Sequence, residues 1–365
     1  MRVIMTGGGT GGHIYPAIAI ADKIRDRGDD HTEILFVGTE HGLERELVPA
    51  RGYPIRFITV RGLDRRRPLR NIKVMLDYNK GHRQAKKILE EFRPDCVIGT
   101  GGYVCGPVVR AAAAMGIRCY IQEQNAYPGL TNRLLERSVE NVFLGFEEAG
   151  RYFKHPEKHI VTGNPVRAEF FTASPTASRQ RLGVEPDQFM LLAFGGSQGA
   201  GRVNRAMIDT IIRYNGVSRV QIFFATGSSY YQPVRRELQD HGVELADNIH
   251  IVEYIEDMAT YLSACDLVVS RSGALTVSEI TICGKPSILI PSPNVTGDHQ
   301  TFNARALSDK GAAILMKEEQ LEDNRLYLEI ERLRQDPAYL EGMAGQCRRA
   351  AMPDSADIIY YTLIT

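Results

Sequence analysis

The sequence lacks several features that would point to particular partners or compartments. Among its 365 residues, 44 Lys and Arg balance 44 Asp and Glu, so the net charge gives no reason to expect nucleic acid as a partner. No run of about eighteen uncharged apolar residues is present, so we expect no membrane-spanning helix. The six cysteines form no C-x-x-C pair and no metal-ligand spacing, which is typical of free thiols in a reducing cytosol. No two aspartates lie two residues apart, so the D-x-D signature of metal–nucleotide sites is missing and we expect no cofactor.

Glycine, in contrast, is concentrated in two turns of similar design. One follows the apolar run Val3–Met5 and reads Gly7-Gly8-Gly9-Thr10-Gly11-Gly12; the other follows Phe194 and reads Gly195-Gly196-Ser197-Gln198-Gly199. Each turn leads into helical sequence, so its backbone N–H groups and the helix N-terminus are available to an anion. Two such units about half a chain apart predict two similar domains facing each other across a cleft, which fits the chain length.

Short apolar strands alternate with helical stretches along both halves, as in doubly wound parallel sheets. We therefore predict an α/β fold with two Rossmann-like domains, residues 1–164 and 165–349, joined near Gly163-Asn164-Pro165. The segment 358–364 is too apolar for a free tail, so residues 350–365 are expected to pack back onto the first domain. The predicted strands and helices are Arg2–Met5, Ile34–Val37, Cys96–Ile98, Cys119–Ile121, Asn141–Leu144, His159–Thr162, Met190–Phe194, Gln221–Ala225, His250–Glu253, Leu267–Ser270, Ser287–Ile290 and Ala313–Met316, with helices at Ala17–Arg27 and Gln84–Phe92.

The first glycine turn permits two interpretations. Gly7, Gly9 and Gly12 match the dinucleotide fingerprint G-x-G-x-x-G, although Gly38 stands where that fingerprint expects an acid, so a nicotinamide-dependent enzyme stays open. His13 lies in the first turn of the next helix, whose positive end favours the neutral imidazole that a general base requires. Local capping or packing would also account for this histidine.

A third cluster of small residues, 270–279, follows a strand of the second half, at the sheet edge where doubly wound folds bind ligands. Glu279 is placed to accept hydrogen bonds from a ribose diol. Thr276 and Glu279 also have the spacing of a capping box, and the two interpretations compete for the same carboxylate. The polar segment 291–300 suits the binding of hydroxyl groups or forms a plain surface loop.

The segment 61–93 carries eleven Lys and Arg against four Asp and Glu, with apolar residues interleaved. This pattern suits an anionic membrane surface. The alternative is an amphipathic helix that buries Leu69, Ile72 and Leu76 and leaves the charges in solvent.

Taken together, these segments resemble glycosyltransferase family 28, the N-acetylglucosaminyltransferases of bacterial cell-wall synthesis. The matching motifs stand in the family's order and span nearly the whole chain. They are Gly7–His13, Gly101-Gly102-Tyr103-Val104-x-Gly106-Pro107, Glu123-Gln124-Asn125-x-x-Pro128-Gly129-Leu130-Thr131-Asn132, Gly163–Arg167, Gly195-Gly196-Ser197-x-Gly199-Ala200-x-x-x-Asn204, Ser272–Glu279 and Gln300-x-x-Asn303-Ala304.

The resemblance implies a GT-B fold and inverting transfer of GlcNAc from UDP-GlcNAc to lipid I, which gives lipid II. A related transferase with another lipid or natural-product acceptor is the alternative. The implied partners are UDP-GlcNAc, lipid I, the anionic inner-membrane surface on its cytoplasmic face, and cell-division or wall-synthesis proteins.

The resemblance also implies roles for particular residues. Ile255 would contact the uracil, Glu279 the ribose and Gln300 the GlcNAc, and the full donor set is Thr10, Gly11, Gly12, Asn125, Arg167, Ser197, Ile255, Ala274, Leu275, Thr276, Val277, Ser278, Glu279 and Gln300. Gly102 and Tyr103 would hold the acceptor diphosphate. For the base that takes the acceptor proton, His13 is the first candidate and Glu123 the second. Without a D-x-D site, backbone donors at a helix N-terminus and Arg167 would stabilise the leaving UDP.

The sequence departs from the family at two positions. Cys105 stands where serine is usual, and Gln122 where histidine commonly precedes Glu-Gln-Asn. Both departures concern the acceptor side and leave the donor motifs intact.

Overall fold

The protein was analysed as a computed structural model that describes residues 1–62, 71–196 and 198–365, without the side chains of residues 71–73 and 296. The chain forms two compact units. Unit 1 comprises Met1–Val166 together with Met352–Thr365, and unit 2 comprises Arg167–Ala351.

Unit 1 contains, within its described residues, a seven-stranded parallel sheet in the order β3-β2-β1-β4-β5-β6-β7. The strands are β1 (Arg2–Thr6), β2 (Glu33–Gly38), β3 (Ile55–Phe57), β4 (Cys96–Gly99), β5 (Arg118–Glu123), β6 (Asn141–Leu144) and β7 (His159–Val161). The helices are α1 (Gly11–Arg27), α2 (Glu44–Ala50), α3 (Asn71–Phe92), α4 (Cys105–Ala114), α5 (Leu130–Leu135) and, from the far end of the chain, the helix Ser355–Ile364.

Unit 2 contains, among the residues described, a six-stranded parallel sheet whose strand order repeats the same scheme. From one edge to the other it runs β10-β9-β8-β11-β12-β13. Its strands are β8 (Phe189–Phe194), β9 (Val220–Ala225), β10 (Ile249–Val252), β11 (Leu267–Ser270), β12 (Ser287–Leu289) and β13 (Ala313–Leu315). Its helices are α6 (Glu169–Thr172), α7 (Pro175–Leu182), α8 (Gly201–Tyr214), α9 (Tyr231–Asp240), α10 (Met258–Ala264), α11 (Ala274–Ile282), α12 (His299–Ser308), α13 (Arg325–Arg334) and α14 (Pro337–Ala350), so the helix Ser355–Ile364 is α15.

Most strand residues are apolar and buried, as expected for sheets whose two faces are both covered by helices. In β1, Val3 and Met5 lie in one core with Ile14 of α1, whereas Ile4 lies in the opposite core with Val108 of α4. The fold class predicted from the sequence, α/β with two doubly wound parallel sheets, is confirmed.

The strand order reverses between β1 and β4 in unit 1 and between β8 and β11 in unit 2. Doubly wound folds bind ligands at the carboxyl ends of strands at such a switch point. The turns that follow these four strands hold the glycine and small-residue clusters of the sequence, so the fold of each unit gathers its clusters at one place.

Every predicted strand is present, with ends displaced by at most two residues. Strand β3 was not predicted, because it is three residues long and alternates apolar with charged side chains. Helix α1 begins at Gly11, six residues before the predicted start, since glycines hide the first turn of the pattern. Over the parts of the chain that the structure describes, no helix has the length and apolar character needed to cross a membrane.

Candidate active site

The glycine turn after β1 packs directly on the turn after β4. Gly102 has a φ of 80°, and a Cβ atom there would lie 2.3 Å from the carbonyl oxygen of Gly8. A Cβ at Gly7 would lie 2.1 Å from Oγ1 of Thr100, and that hydroxyl donates to the carbonyl of His13 at 2.7 Å. The two turns thus fit only because glycine stands at both contacts.

His13 is the third residue of α1, in the first turn of that helix as predicted. Its Nδ1 lies 3.1 Å from the carbonyl oxygen of Thr100 and 2.9 Å from Oε1 of Gln124. Both neighbours are acceptors, so Nδ1 carries the proton in the neutral ring and Nε2 keeps the lone pair. Thr10 and Gly12, beside it at the helix N-terminus, are exposed, and Gly11 is half-buried.

Glu123, the second candidate base, is buried and fully engaged at the end of β5. Its Oε1 accepts from the backbone and side-chain amides of Asn125 at 3.0 and 3.2 Å. Its Oε2 accepts from the Gly129 amide at 3.0 Å and from Nδ2 of Asn132 at 2.9 Å. Four N–H groups occupy the four lone-pair positions of the carboxylate, so the geometry favours an anchor for the Asn125 loop over a proton acceptor.

The two departures from the family pattern are both buried. The Sγ of Cys105 donates toward the carbonyls of Thr6 and Gly101 at 2.9 Å and accepts from the Gly101 amide at 3.1 Å, and burial raises the pKa of this thiol to about 12. The neutral thiol therefore occupies the place of a small hydroxyl donor. Gln122 has no exposed surface and bonds to Gln124 and Asn164, behind His13.

Tyr103 covers the first glycine turn, with its ring 3.1 Å from the position of a Cβ at Gly9. The Gly9 amide donates at 3.1 Å to Oε2 of Glu44, a buried carboxylate on α2 whose Oε1 also accepts from the amide and hydroxyl of Thr39. Glu44 thus anchors the first glycine turn through its hydrogen bond to the Gly9 amide. Glu44 was not identified from the sequence. A Cβ atom at Gly8 or Gly42 would overlap this carboxylate, so both positions require glycine.

The second glycine turn, after β8, is held in the same way by a neighbouring turn. Gly199 has a φ of 76°, and its Cβ would lie 2.2 Å from the carbonyl oxygen of Thr226 after β9. The buried side chain of Asn204, in α8, donates to that same carbonyl at 2.9 Å. Ser197, predicted to bind the donor, lies outside the described residues.

Helix α11 begins at Ala274, with Gly273 as its N-cap. Thr276 is therefore inside the first turn and not at the cap, so the capping-box interpretation of Thr276 and Glu279 is wrong. The first hydrogen bond of the helix joins the Val277 amide to the Gly273 carbonyl at 2.9 Å. The amides of Ala274, Leu275 and Thr276 come before that bond and so lie outside the hydrogen-bond ladder of the helix. The first turn contains no acidic residue, which leaves its positive end available to an anion.

Arg167 and Glu279 lie together at this end of unit 2. The Arg167 guanidinium is 2.8 Å from Glu169, 3.9 Å from Glu279 and over the ring of Phe170. The Glu279 side chain is 18% exposed, and burial raises its pKa to about 7 although Arg167 opposes the shift. The hydroxyl of Ser278, the residue before Glu279 on α11, donates to the Ala274 carbonyl at 3.0 Å.

Hydrogen bonds tie the polar segment 291–300 to the turn after β11. Oε1 of Gln300 accepts from the Ser292 amide at 2.9 Å, and the Ser272 hydroxyl donates to the Gln300 carbonyl at 2.8 Å. Arg271 donates to the carbonyls of Ile290 and Pro291, so the turn after β11 and the turn after β12 form one structure. Ile255, predicted to meet a uracil, is buried in the turn after β10.

Helix α3 carries part of the basic segment. Met75 and Leu76 are 68% and 65% exposed, and Lys80 is exposed one turn later. The interpretation that buries Leu76 in an amphipathic helix is therefore wrong. The remaining residues of that interpretation, and the basic residues preceding this surface, lie outside the described side chains: Leu63, Arg65, Arg66, Arg67, Leu69, Arg70, Ile72 and Lys73.

Within the described residues, no group of three or more His, Cys, Asp and Glu side chains is arranged to hold a metal ion.

Comparison with known proteins agrees with this geometry. The glycosyltransferase family 28 N-terminal domain matches residues 3–144, and the family's C-terminal domain matches residues 190–359. A protein of Desulforamulus reducens is 46% identical over 98% of this chain and 97% of its own length, and one of Alkaliphilus oremlandii is 42% identical over 99% and 97%. Both bear the name UDP-N-acetylglucosamine–N-acetylmuramyl-(pentapeptide) pyrophosphoryl-undecaprenol N-acetylglucosamine transferase.

Solved structures give the same result. The crystal structure of Acinetobacter baumannii MurG is similar over 100% of this chain and 99% of that one, with a TM-score of 0.79 and 28% identity. A UDP-GlcNAc 2-epimerase from Neisseria meningitidis has a TM-score of 0.70 at 16% identity, a likeness of fold alone. The chain belongs to glycosyltransferase family 28, among its UDP-N-acetylglucosamine–N-acetylmuramyl-(pentapeptide) pyrophosphoryl-undecaprenol N-acetylglucosamine transferases.

Proposed function

We propose that this chain transfers GlcNAc from UDP-GlcNAc to the N-acetylmuramyl sugar of lipid I and so forms lipid II for peptidoglycan synthesis. The observation that carries the proposal is the 46% identity, over 98% of the chain, to a protein whose name states this transfer. The fold of both units and the positions of the motifs at the two switch points support it.

Unit 2 binds the donor. The first-turn amides of α11 and the guanidinium of Arg167 receive the diphosphate, because a helix N-terminus and a cation both favour an anion. Glu279, whose side chain is 18% exposed, accepts hydrogen bonds from the ribose diol. Ile255 contacts the uracil and Gln300 the GlcNAc, with Ser197, Val277 and Ser278 in the same site.

Unit 1 binds the acceptor and removes its proton. The acceptor hydroxyl oxygen attacks the anomeric carbon while the bond from that carbon to the UDP oxygen breaks, and UDP leaves with the electron pair. The hydroxyl proton passes to Nε2 of His13, a transfer that typically contributes about 10²–10⁴-fold to the rate. A single displacement of this kind inverts the anomeric centre, and the charge on UDP is stabilised by donors already in place.

Residues around His13 position the acceptor and the transferred sugar. Gly102 and Tyr103, on the turn that rests against Gly8 and Gly9, hold the acceptor diphosphate. Thr10, Gly11, Gly12 and Asn125 face the sugars. The loop of Asn125 is fixed by the four bonds of Glu123, which supports a defined orientation for its side chain.

The polyprenyl chain of lipid I lies in the bilayer, so the enzyme must work at a membrane surface. Met75, Leu76 and Lys80, which we call the α3 surface, expose two large apolar side chains beside a cation. Apolar insertion combined with attraction to anionic headgroups suits reversible binding. We propose that the protein works at the cytoplasmic face of the membrane and associates with cell-division or wall-synthesis proteins.

The decisive experiment supplies lipid I and radiolabelled UDP-GlcNAc to the purified protein. We expect the label in an extractable lipid product, with one UDP released for each sugar transferred. Release of UDP only with a different acceptor would favour the related transferase. No UDP release with any acceptor would contradict an enzymatic role.

A further inference from the structure

Three buried amide side chains form a continuous hydrogen-bonded chain behind His13. Nδ2 of Asn164 donates to the backbone carbonyl of Gln124 at 3.0 Å, and its Oδ1 accepts from Nε2 of Gln122 at 2.8 Å. Oε1 of Gln122 accepts from Nε2 of Gln124, and Oε1 of Gln124 faces Nδ1 of His13 at 2.9 Å. All three residues are at least 97% buried.

The direction of every bond in this chain is determined. A backbone carbonyl can only accept, so Asn164 must present its NH₂ group to Gln124 and its oxygen to Gln122. Gln122 must then present NH₂ to Asn164 and oxygen to Gln124. Nε2 of Gln124 also faces the carbonyls of Thr100 and Gln122, at 2.7 and 3.1 Å, so the amide oxygen of Gln124 is turned toward the imidazole.

We propose that Gln124 is a positioning residue that fixes His13 as the Nδ1–H tautomer, and that Gln122 and Asn164 fix the orientation of Gln124. This inference rests on the proposed function, in which Nε2 of His13 takes the acceptor proton. The backbone carbonyl of Thr100 also accepts from Nδ1–H, so two oriented acceptors face this nitrogen. A histidine base works only in the tautomer that leaves the reacting nitrogen unprotonated.

The orienting group is neutral, and nearby ionisable groups are engaged elsewhere. Glu44 on α2 binds Gly9 and Thr39, and Glu123 on β5 binds Asn125, Gly129 and Asn132. Burial keeps the Cys105 thiol neutral. An amide therefore sets the tautomer without placing a negative charge against the ring, unlike the carboxylate of a Ser-His-Asp triad.

Nitrogen NMR of the parent protein tests the tautomer without any variant in the measured sample. With ¹⁵N-labelled histidine, long-range proton correlations distinguish Nδ1–H from Nε2–H, and a His13→Gln sample identifies the signals of His13. We expect the neutral ring to carry its proton on Nδ1. A proton on Nε2 would overturn the proposal, whether or not the protein transfers sugar.

Three matched variants then test the positioning role. Gln124→Leu is expected to reduce the Nδ1–H share and to lower kcat about tenfold or more, below the full contribution of a base, with the KM for UDP-GlcNAc unchanged. Gln122→Leu acts in the same direction with a smaller effect, because it frees the amide of Gln124. Gln84→Leu is the control, since it removes a glutamine whose Oε1 accepts from the backbone amide of Thr59 at 2.7 Å and which is not hydrogen-bonded to His13.

The outcomes separate the two proposals. If Gln124→Leu keeps the parent spectrum and kcat, the positioning role is wrong although the enzyme is active. If the parent transfers nothing to lipid I, the proposed function fails, and the spectra still decide the tautomer.

Discussion

Glu279 is the residue whose two interpretations the structure separates most clearly. Because α11 begins at Ala274, the carboxylate does not cap the helix, and the ribose role stays a prediction. Glu279→Ala should therefore raise the KM for UDP-GlcNAc, by the equivalent of about 1.5–3 kcal/mol for a hydrogen bond to a charged group. Steady-state kinetics at saturating acceptor measure this change. An unchanged KM would exclude the ribose role.

The same carboxylate makes stability depend on pH. The pKa of Glu279 is about 7 in the folded protein and ordinarily 4.5, so the folded state holds its proton more tightly than the unfolded chain does. The free energy of unfolding therefore includes a favourable contribution from protonated Glu279 at low pH. That contribution is lost as the pH rises from 4.5 to about 7. The difference corresponds to about 3 kcal/mol.

Glu279→Gln should remove that loss, so the variant is more stable than the parent at about pH 8 and similar to it at about pH 4. Urea unfolding at both pH values measures the effect. UDP-GlcNAc should narrow the difference in stability, because ribose hydroxyls donate stronger hydrogen bonds to the charged carboxylate of the parent than to the amide oxygen of the variant. If the variant is less stable than the parent at about pH 8, the ionised carboxylate of Glu279 does not destabilise the folded protein and the prediction is wrong.

A variant of His13 tests the proposed proton transfer. His13→Ala should lower kcat by about 10²–10⁴-fold and leave donor affinity nearly unchanged, because the imidazole acts on the acceptor proton. The pH profile of kcat should also lose its acidic limb. Single-turnover rates and equilibrium binding of UDP-GlcNAc measure the two quantities separately. Near-normal turnover would move the base elsewhere, and Glu123→Gln would be the next variant.

At the scale of elements, we predict that the α3 surface binds anionic membranes. Replacing both Met75 and Leu76 by Ser should reduce sedimentation with anionic vesicles and slow turnover of full-length lipid I, because exposed apolar side chains supply the insertion. Turnover of a soluble short-chain acceptor should change much less. Leu328→Ser is the matched control, since Leu328 is 58% exposed on α13 of unit 2.

Charge should act together with these apolar side chains. Arg65, Arg66 and Arg67 changed to Glu should weaken vesicle binding further, and added salt should weaken binding by the parent, since each cation contributes about 1 kcal/mol near an anionic leaflet. If both the apolar and the charge variants sediment like the parent, the membrane-binding surface is elsewhere.

The sequence predicts a feature well when that feature depends on residues close together in the chain, and poorly when it depends on residues far apart. The glycine turns, His13 and the start of β11 follow from neighbouring residues, and all were found. The anchor Glu44 and the amide chain of Gln122, Gln124 and Asn164 join residues up to 42 positions apart, which parallel strand pairing brings together. No spacing within the sequence could reveal them, because their geometry exists only once the sheet has formed.

At the scale of the whole molecule, α15 completes unit 1. Leu363 is fully buried against α1, whereas its neighbour Ile364 is 52% exposed. Leu363→Ala should therefore destabilise unit 1 by about 2–5 kcal/mol, and Ile364→Ala should change stability by less than about 0.5 kcal/mol. Hydrogen exchange at amides of β1 and β8 reports the two units separately. Equal effects of the two variants would show that α15 contributes little to the core.

The position of α15 in the chain has a consequence for biosynthesis. The chain leaves unit 1 after Val166 and returns to it at Met352, so unit 2 is inserted within the sequence of unit 1. Domains generally fold as units in the order in which the ribosome makes them. Here the unit that is begun first is finished second, because Ile359 and Leu363 are added only after all of unit 2 has been translated. Until then the part of α1 that α15 covers stays exposed, so we expect the nascent protein to be open to chaperone binding while unit 2 is synthesised.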